Sequence, residues 1–278
     1  MWTVENRAKY NRDHLCYPSD LTDEEWALIA PLIPPAKKGG NKRTVDVRAV
    51  INGVTYILST GCQWRYLPKD LPPRSTVYDY FSLWQWGGTL DRIHHVLYVK
   101  CREQAEREAS PTACVIDSQS VKSAGKGGAA IDPPGFDAGK PIKGQKRHIL
   151  VDTQGLLLSG IITAADVQDR DGGILLLSTL FGMFPFLKKL FADSAYGGPI
   201  FHDAVAQVLP NLEIQIVKRS DRIKGFVTLP RRWVVERTIG WLNRCRRLAK
   251  DWENLNRTAL AFLKLASIRL MMRKLRSA

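Results

Sequence analysis

Residues 114–118 read Cys-Val-Ile-Asp-Ser and residues 190–194 read Leu-Phe-Ala-Asp-Ser, so two short apolar runs each end in an aspartate. A short apolar run bounded by turn residues is typical of a buried strand. Side chains at the ends of sheet strands enter the crevice in which ligands bind. The two runs therefore predict a sheet that presents Asp117 and Asp193 as metal ligands or catalytic groups.

The pattern around these runs predicts an α/β layout. Three more strands are expected at 148–152, 156–163 and 213–217, and helices near 172–180, 200–209, 230–252 and 258–275. Three strands in succession, followed by alternating helices and strands, are typical of a mixed sheet with helices packed on it.

The first part of the chain shows helical periodicity and no strand pattern. Helix caps are expected at Thr22, Thr44 and Ser75, and a fourth helix at about 90–108. Thr22 and Glu25 have the spacing of a capping box. Since Ser110-Pro111 interrupts the pattern, we predict a small all-α domain over residues 1–109 and an α/β domain over residues 110–278.

Length and composition exclude several classes of protein. The chain has 278 residues, of which 45% are apolar, enough for a substantial core. No apolar run approaches the roughly 18 residues of a membrane helix, and the first residues lack a secretory leader pattern. The five cysteines form no CxxC pair. We therefore expect a soluble protein of a reducing compartment, with no membrane partner.

The net charge of +14 is concentrated near the end of the sequence. Residues 218–278 hold 17 basic and 4 acidic residues, whereas residues 1–217 hold 24 basic and 23 acidic residues. An asymmetric basic stretch is the pattern expected for contact with a phosphate backbone. A solvated helix face is the alternative, but the scarcity of balancing acids favours nucleic acid.

A third carboxylate, Glu236, lies among arginines in this basic stretch. It shares a helix face with Ile239 and Gly240, which favours an inward orientation. Together with Asp117 and Asp193 it would hold two Mg²⁺ ions about 3.5–4 Å apart that activate a water or hydroxyl for phosphoryl transfer. Spacing alone leaves open that the aspartates are turn residues and Glu236 a surface ion-pair partner.

Other residues allow competing interpretations. Asp166, Asp169 and Asp171 could ligate metal, but we favour helix-capping residues, since Asp is common at helix starts. The tryptophans at 233, 241 and 252 could stack on bases, although a core position is the more common use of helix tryptophans. Helix 75–86 could read a major groove or serve as a packing module.

Four segments stand in a particular order: Val-Ile-Asp-Ser-Gln-Ser-Val-Lys at 115–122, Lys-Gly-Gln-Lys-Arg-His at 143–148, Ala-Asp-Ser-Ala-Tyr at 192–196 and Trp-Val-Val-Glu-Arg-Thr-Ile-Gly-Trp-Leu at 233–242. Together they resemble bacterial insertion-sequence transposases of the DDE class, in particular the small elements of the family named insertion sequence five. Residues 21–26 and 61–68 resemble the helical leader domain of that family.

The resemblance implies a ribonuclease-H-like catalytic domain, with Asp117 on the first strand, Asp193 after the fourth and Glu236 on a helix after the fifth. It implies a transposase that binds the terminal inverted repeats of its element and catalyses metal-dependent DNA cleavage and strand transfer. We expect two Mg²⁺ ions held by these three acids, with Mn²⁺ able to substitute. The implied partners are double-stranded transposon ends and target DNA, bound in the bacterial cytoplasm by a homodimer or larger assembly.

The expected DNA-binding residues include a basic group at the edge of the site and the arginines around Glu236. They are Lys146, Arg147, His148, Arg231, Arg232, Arg237, Arg244, Arg246 and Arg247. The helical domain is expected to bind DNA ends, to dimerise, or both.

One feature departs from the signature of related families, which place Tyr, Arg and Lys around the catalytic Glu. Arg232 matches the Arg, but the Tyr position holds Leu229 and the Lys position holds Asn243. This puts in doubt any handling of DNA ends assigned to that Tyr and Lys. A stand-alone nuclease and an inactive DNA-binding regulator remain as alternatives.

Overall fold

A computed structural model describes residues 3, 4, 7, 11–36, 39, 43–128, 130–217 and 232–276. A helical region comes first, and a mixed-sheet α/β region follows, as the sequence predicts. The helices of the first region are α1 (Asp23–Ile29), α2 (Val47–Thr60), α3 (Arg74–Trp86) and α4 (Thr89–Glu103). The elements that follow are β1 (Ala113–Lys122), β2 (Gly135–Asp137), β3 (Ile142–Asp152), β4 (Leu157–Ala164), α5 (Asp169–Ser178), β5 (Lys189–Ala192), α6 (Pro199–Val208), β6 (Glu213–Ile216), α7 (Trp233–Leu242) and α8 (Asn256–Arg276).

The helix starts agree only in part with the predicted caps. The capping box of α1 is present, because Thr22 and Glu25 each bind the other's backbone N–H. The cap of α2 is Asp46, whose carboxylate accepts a hydrogen bond from the Arg48 N–H, and not Thr44. The prediction for Ser75 was also wrong, since α3 begins at Arg74 directly after Pro73, whose ring presets φ.

The sheet has the order β2-β3-β1-β5-β6, with β4 also paired to β3. β1 pairs antiparallel with β3 and parallel with β5, and β5 pairs parallel with β6. The described sheet is therefore mixed, with β1 at its centre. Cys114, Val115 and Ile116 are almost completely buried there, which explains their unbroken apolar run.

β1 is longer than the sequence predicts and does not end at Asp117. Its pairing with β3 continues to Lys122 opposite Gly144, which places Asp117 inside the strand. The polar stretch that follows is packed as well. Ala124 donates to the Asp251 carbonyl, and Lys126 forms an ion pair with the Asp251 carboxylate at 2.9 Å.

The long helix expected over 230–252 was also wrong, because α7 ends at Leu242 and a 3₁₀ turn at Arg246–Leu248 follows. At this turn Arg247 points inward. Its guanidinium binds the Glu253 carboxylate at 2.6 Å and the Cys62 carbonyl at 3.1 Å. Satisfying a buried guanidinium requires this bend toward α2.

α8 packs against both regions of the chain. It contacts α1, α2 and α4 on the helical side and β4 and α7 on the other. Ser267 of α8 lies 3.1 Å from the His94 imidazole of α4, and Lys264 pairs with Asp91. The hydrophobic core is accordingly continuous across the predicted boundary at 109/110.

α5 lies close to the sheet because two adjacent glycines face it. A methyl group added to Gly172 would come within 2.1 Å of the His148 ring, and one on Gly173 within 2.7 Å of the Tyr196 ring. Both rings are buried, so neither can move aside at low cost.

We expect Gly172→Ala to destabilise the protein by about 2–3 kcal/mol or more, because the new methyl group overlaps a buried imidazole. Gly240→Ala on α7 is the matched control, since a methyl group there meets nothing within 4 Å. That change should be neutral or stabilise by about 0.5–1 kcal/mol. Urea unfolding of both variants measures the difference, and equal midpoints would contradict the packing argument.

Candidate active site

Strand register brings Asp117 and Asp193 together. The parallel pairing of β1 with β5 matches Ala113 to Lys189 and Val115 to Phe191. The same offset, carried two residues further, sets Asp117 beside Asp193 at the point where the two strands separate. The crevice predicted from the two apolar runs is therefore formed by the splitting of these strands.

Backbone groups orient one oxygen of each aspartate. Asp117 Oδ1 accepts a hydrogen bond from the Ser118 N–H at 2.8 Å, and Asp193 Oδ1 accepts one from the Ala195 N–H at 2.9 Å. Asp193 thereby caps a short 3₁₀ turn. In each aspartate the second oxygen, Oδ2, remains directed at the space between the strands.

Glu236 reaches the same space from the first turn of α7. The β3–β4 turn fixes this helix: the Gln154 carbonyl accepts from Arg237 at 3.0 Å, and the Gly155 carbonyl accepts from the Thr238 hydroxyl at 2.9 Å. Gly155 has a positive φ of 86°, and a methyl group on it would overlap that hydroxyl. The Glu236 side chain is 52% exposed, so it lines the mouth of the site rather than its floor.

The three acids converge on one guanidinium nitrogen. Arg232 Nη2 lies 3.8 Å from Asp117 Oδ2, 3.5 Å from Asp193 Oδ2 and 3.4 Å from Glu236 Oε1. Three separate elements, β1, the end of β5 and α7, thus direct carboxylates at one positive charge. The three acids present only carboxylate oxygens to this guanidinium.

The buried member of this group has a perturbed pKa. The pKa of Asp117 is raised to about 6: burial is the largest cause, the Ser118 N–H and Arg232 lower the pKa, and Asp193 and Glu236 raise it. Ionising Asp117 therefore has a free-energy cost that a nearby cation reduces.

The donor chemistry of the acids fits a hard divalent cation such as Mg²⁺, which prefers carboxylate oxygen. Their spacing does not yet fit one. Among the described residues, no three His, Cys, Asp or Glu side chains are close enough to hold a metal ion together. Each of the three acids lies within 4 Å of the Arg232 guanidinium instead.

Two of the acids between residues 166 and 171 form ion pairs outside the triad. Asp169 forms an ion pair at 2.9 Å with Lys146, and Asp171 contacts Arg170 at 3.5 Å. Both stand in the first turn of α5, where negative charge favours the helix, although Gln168 is the cap residue. The interpretation of these acids as helix caps was therefore wrong, although Asp169 and Asp171 do lie at the start of the helix.

Four of the residues expected to bind DNA are buried. Lys146, Arg147, His148 and Arg247 have exposed fractions of 7% or less. Lys146 pairs with Asp169, Arg147 donates to Gln119 and Asn243, and His148 contacts the Thr163 hydroxyl. Burial lowers the pKa of His148 to about 4. In this structure their polar groups serve internal partners, and the phosphate contacts expected of these four residues remain a prediction.

The remaining basic residues of this set lie nearer the surface. Arg244 and Arg246 are exposed, and Arg237 stacks between Trp233 and Trp241 with its guanidinium 4.3 and 4.5 Å from the ring centroids. Arg231, and the Leu229 position of the signature, lie outside the described residues.

The tryptophans do not occupy the core that we favoured for them. Trp233, Trp241 and Trp252 are 37–44% exposed. Lys250 lies over the Trp252 ring at 5.1 Å. Trp233 and Trp241, with Arg237 between them, form a partly exposed aromatic surface on the helix that carries Glu236.

Sequence reasoning missed two features of the site. It treated Arg232 as a phosphate contact and as the match to the signature Arg, but did not predict its contact with the acids; the four-residue spacing to Glu236 was the signal that the two side chains could meet. It also gave no role to Tyr196, which is 1% exposed beneath the site, where burial and the neighbouring acids raise its pKa.

The fold is that of the ribonuclease-H-like class of enzymes. In this class two acids lie on neighbouring strands of a mixed sheet, and a third acid lies on a later helix. Comparison with known families gives the same result. Residues 108–271 match the family described as "Transposase DDE domain", and residues 21–94 match "Putative transposase of IS4/5 family (DUF4096)". The chain belongs to the DDE-domain transposases, a family that implies DNA substrates and dependence on divalent metal.

Two relatives come from Burkholderia cepacia. The chain is 36% identical over 113 residues to "Insertion element IS402 uncharacterized 16.2 kDa protein". The aligned region covers 38% of this chain and 76% of the relative. It is 31% identical over 157 residues to "Putative transposase for insertion sequence element IS402". This aligned region covers 52% of the chain and 70% of the relative. No solved structure gives a significant match. Within the described ranges, no helix is long and apolar enough to cross a membrane.

We expect Asp117→Asn to stabilise the metal-free protein at pH 7.5, on the order of 1–3 kcal/mol. The pKa of Asp117 is raised on folding, so the folded state is penalised as the pH rises above the unfolded value of 3.8 and toward about 6. The gain should therefore be largest above pH 6 and disappear below about pH 4. Thermal unfolding in EDTA across this range measures it, and a pH-independent difference would contradict the electrostatic cause.

Proposed function

We propose that this chain is the transposase of an insertion sequence, which binds the terminal inverted repeats of its element and catalyses metal-dependent strand cleavage and strand transfer. The observation that carries the proposal is the convergence of Asp117, Asp193 and Glu236 on one cation, within a chain of the DDE-domain transposase family. Hydrolysis of the phosphodiester at each end would leave a 3′-hydroxyl, which would then attack a phosphodiester of the target DNA and displace the 3′-oxygen of the target strand.

Asp117, Asp193 and Glu236 would hold the divalent cations of this reaction. We propose two Mg²⁺ ions, with Mn²⁺ as a substitute, which these three carboxylates would hold. When bound, the ions supply stabilisation of the attacking and leaving oxygens. The backbone N–H groups of Ser118 and Ala195 support this role, because each fixes one aspartate oxygen and leaves the other directed into the site.

Double-stranded DNA would lie across the exposed side of α7 and the turn that follows it. Arg244 and Arg246 are exposed there, next to the stack formed by Trp233, Arg237 and Trp241. Arginine contacts phosphate in a planar, bidentate geometry, which suits it to a backbone groove. Two ends must be paired before transfer, so we propose a homodimer or larger assembly on DNA in the bacterial cytoplasm.

We propose that the helical region over residues 1–109 serves end recognition, dimerisation or both. Its core is continuous with that of the catalytic region through α8. A DNA segment bound by the first region would therefore stand in a fixed position relative to the acids.

Glu236→Gln should abolish cleavage and joining, with a loss of at least about a hundredfold, while binding of the element's ends persists. A donor plasmid with the natural flanks of this gene, incubated in Mg²⁺ and resolved on a gel, measures cutting and joining. Asp171→Asn is the matched control, since Asp171 is an exposed acid of α5 that contacts Arg170 and not the triad.

The same assay distinguishes the alternative functions. Cleavage without joining by the wild type would identify a stand-alone nuclease, and end binding without cleavage would identify a regulator. Cleavage that survives Glu236→Gln would show that the third carboxylate is assigned to the wrong residue.

Exposed arginines should set the salt dependence of DNA binding. Replacing both Arg244 and Arg246 by Ala is expected to lower the slope of log affinity against log salt by about 0.9 for each phosphate that the variant no longer neutralises. Arg170→Ala, on α5, is the control and should leave the slope unchanged. Fluorescence anisotropy of an end duplex at several salt concentrations measures the slope, and an unchanged slope in the double variant would exclude these phosphate interactions.

A further inference from the structure

The position of Arg232 is not explained by the helix to which it belongs. Arg232 is the N-cap residue of α7, and its side chain makes no capping hydrogen bond. The N-terminus of a helix carries partial positive charge, so a cation there is unfavourable for the helix. The side chain is nevertheless only 15% exposed and directed at Asp117, Asp193 and Glu236. The three acids, and not α7, account for its placement.

The guanidinium is held by charge more than by hydrogen bonds. Its contacts with the acids span 3.4–3.8 Å, beyond the roughly 2.7–2.9 Å of a charged hydrogen bond. Its Nε is buried without a hydrogen-bond partner among the described residues. By comparison, Arg102 meets Asp152 at 2.5 Å and Arg247 meets Glu253 at 2.6 Å. Arg232 is thus a loosely bonded cation, whereas the other two are structural.

The contacts of Arg232 use the atoms that a metal ion would need. In both aspartates Oδ1 is occupied by a backbone N–H, so Oδ2 is the oxygen left for a ligand, and Arg232 Nη2 lies against both Oδ2 atoms. A guanidinium and a divalent cation cannot share this space, since like charges at a few ångströms repel strongly.

We infer that Arg232 is the internal counter-ion of the acid triad, which neutralises the acids in the metal-free protein and has to withdraw before a divalent cation enters. The inference rests on the proposed function only in taking these acids as the metal site. Its consequence is that Arg232 weakens cation binding in the absence of DNA while it stabilises the metal-free fold.

Titration of the full-length protein with Mn²⁺ without DNA tests the first consequence, with free Mn²⁺ followed by its electron paramagnetic resonance signal. Arg232→Gln should bind Mn²⁺ at least about tenfold more tightly than the wild type, because a competing positive charge is removed. Arg232→Lys retains the charge and should stay near the wild-type affinity. Arg257→Gln is the control for net charge, since Arg257 stacks on Trp86 at 3.6 Å, and it should leave the affinity unchanged.

Thermal unfolding tests the second consequence and does not depend on catalysis. In EDTA, Arg232→Gln should melt below the wild type, because the acids then repel one another without a counter-ion. Added Mn²⁺ should raise the melting temperature of Arg232→Gln more than that of the wild type. Should Arg232→Gln be unfolded in EDTA, recovery of a folding transition on adding Mn²⁺ would be the supporting result.

The outcomes separate this inference from the proposed function. If Mn²⁺ binds the wild type, is lost in Asp193→Asn, and binds Arg232→Gln no more tightly, the counter-ion role is overturned and the metal site stands. Asp193→Asn is also introduced into the Arg232→Gln protein. If it changes Mn²⁺ binding in neither the wild-type nor the Arg232→Gln background, the acids are not the metal site. The assignment of the metal ligands and the inference on Arg232 then both fail.

Discussion

The carboxylate of Asp152 is the constraint on which the arrangement of this molecule depends. It is completely buried, and it joins two parts of the chain. Oδ2 accepts hydrogen bonds from the Arg102 guanidinium of α4 at 2.5 Å and from the Tyr98 hydroxyl at 3.3 Å, while Oδ1 accepts the backbone N–H groups of Gln154 and Leu156. A buried charge without such partners costs several kcal/mol. The helical region and the β3–β4 turn are therefore fixed to one another, because neither can move without exposing or orphaning this charge.

The same turn carries that constraint to the acid site. Its carbonyls at Gln154 and Gly155 bind Arg237 and Thr238, which directly follow Glu236 on α7. β3, which leads into the turn, also pairs along β1 and so sets the position of Asp117. The β3–β4 hairpin thus positions Asp117 and Glu236. The register of β5 on β1 positions Asp193. The residues that position the triad lie on elements far apart in sequence and share a single structural frame.

The comparison of sequence and structure shows which signals are local. The apolar runs before Asp117 and Asp193 and the capping box at Thr22 depend on neighbouring residues, and they were predicted correctly. The succession of helices and strands was predicted as well, apart from the short strand β2 and the extent of α7. The length of β1 was not, since its polar half is held by pairing with β3, a partner that the run itself does not reveal. The burial of Lys146, Arg147 and His148 was missed for a related reason. The sequence does not show whether a basic side chain is exposed to solvent or paired with an acid from another element. Lys146 is paired in this way, with Asp169 of α5.

The excess of basic residues near the end of the sequence is consequently divided among different tasks. Arg247 closes the bend after α7 through Glu253, Arg232 balances the acids, and Arg237 is held between two tryptophan rings. Arg244 and Arg246 remain exposed in the same stretch. Net charge would set the long-range attraction of a phosphate backbone, because every cation contributes to the field at a distance. Direct contact with phosphate is possible for fewer residues. It requires side-chain nitrogens that are not already hydrogen-bonded to oxygens of the protein. The composition that predicts nucleic-acid binding therefore overstates how many residues can touch the nucleic acid, and the difference consists of the arginines that the fold itself uses.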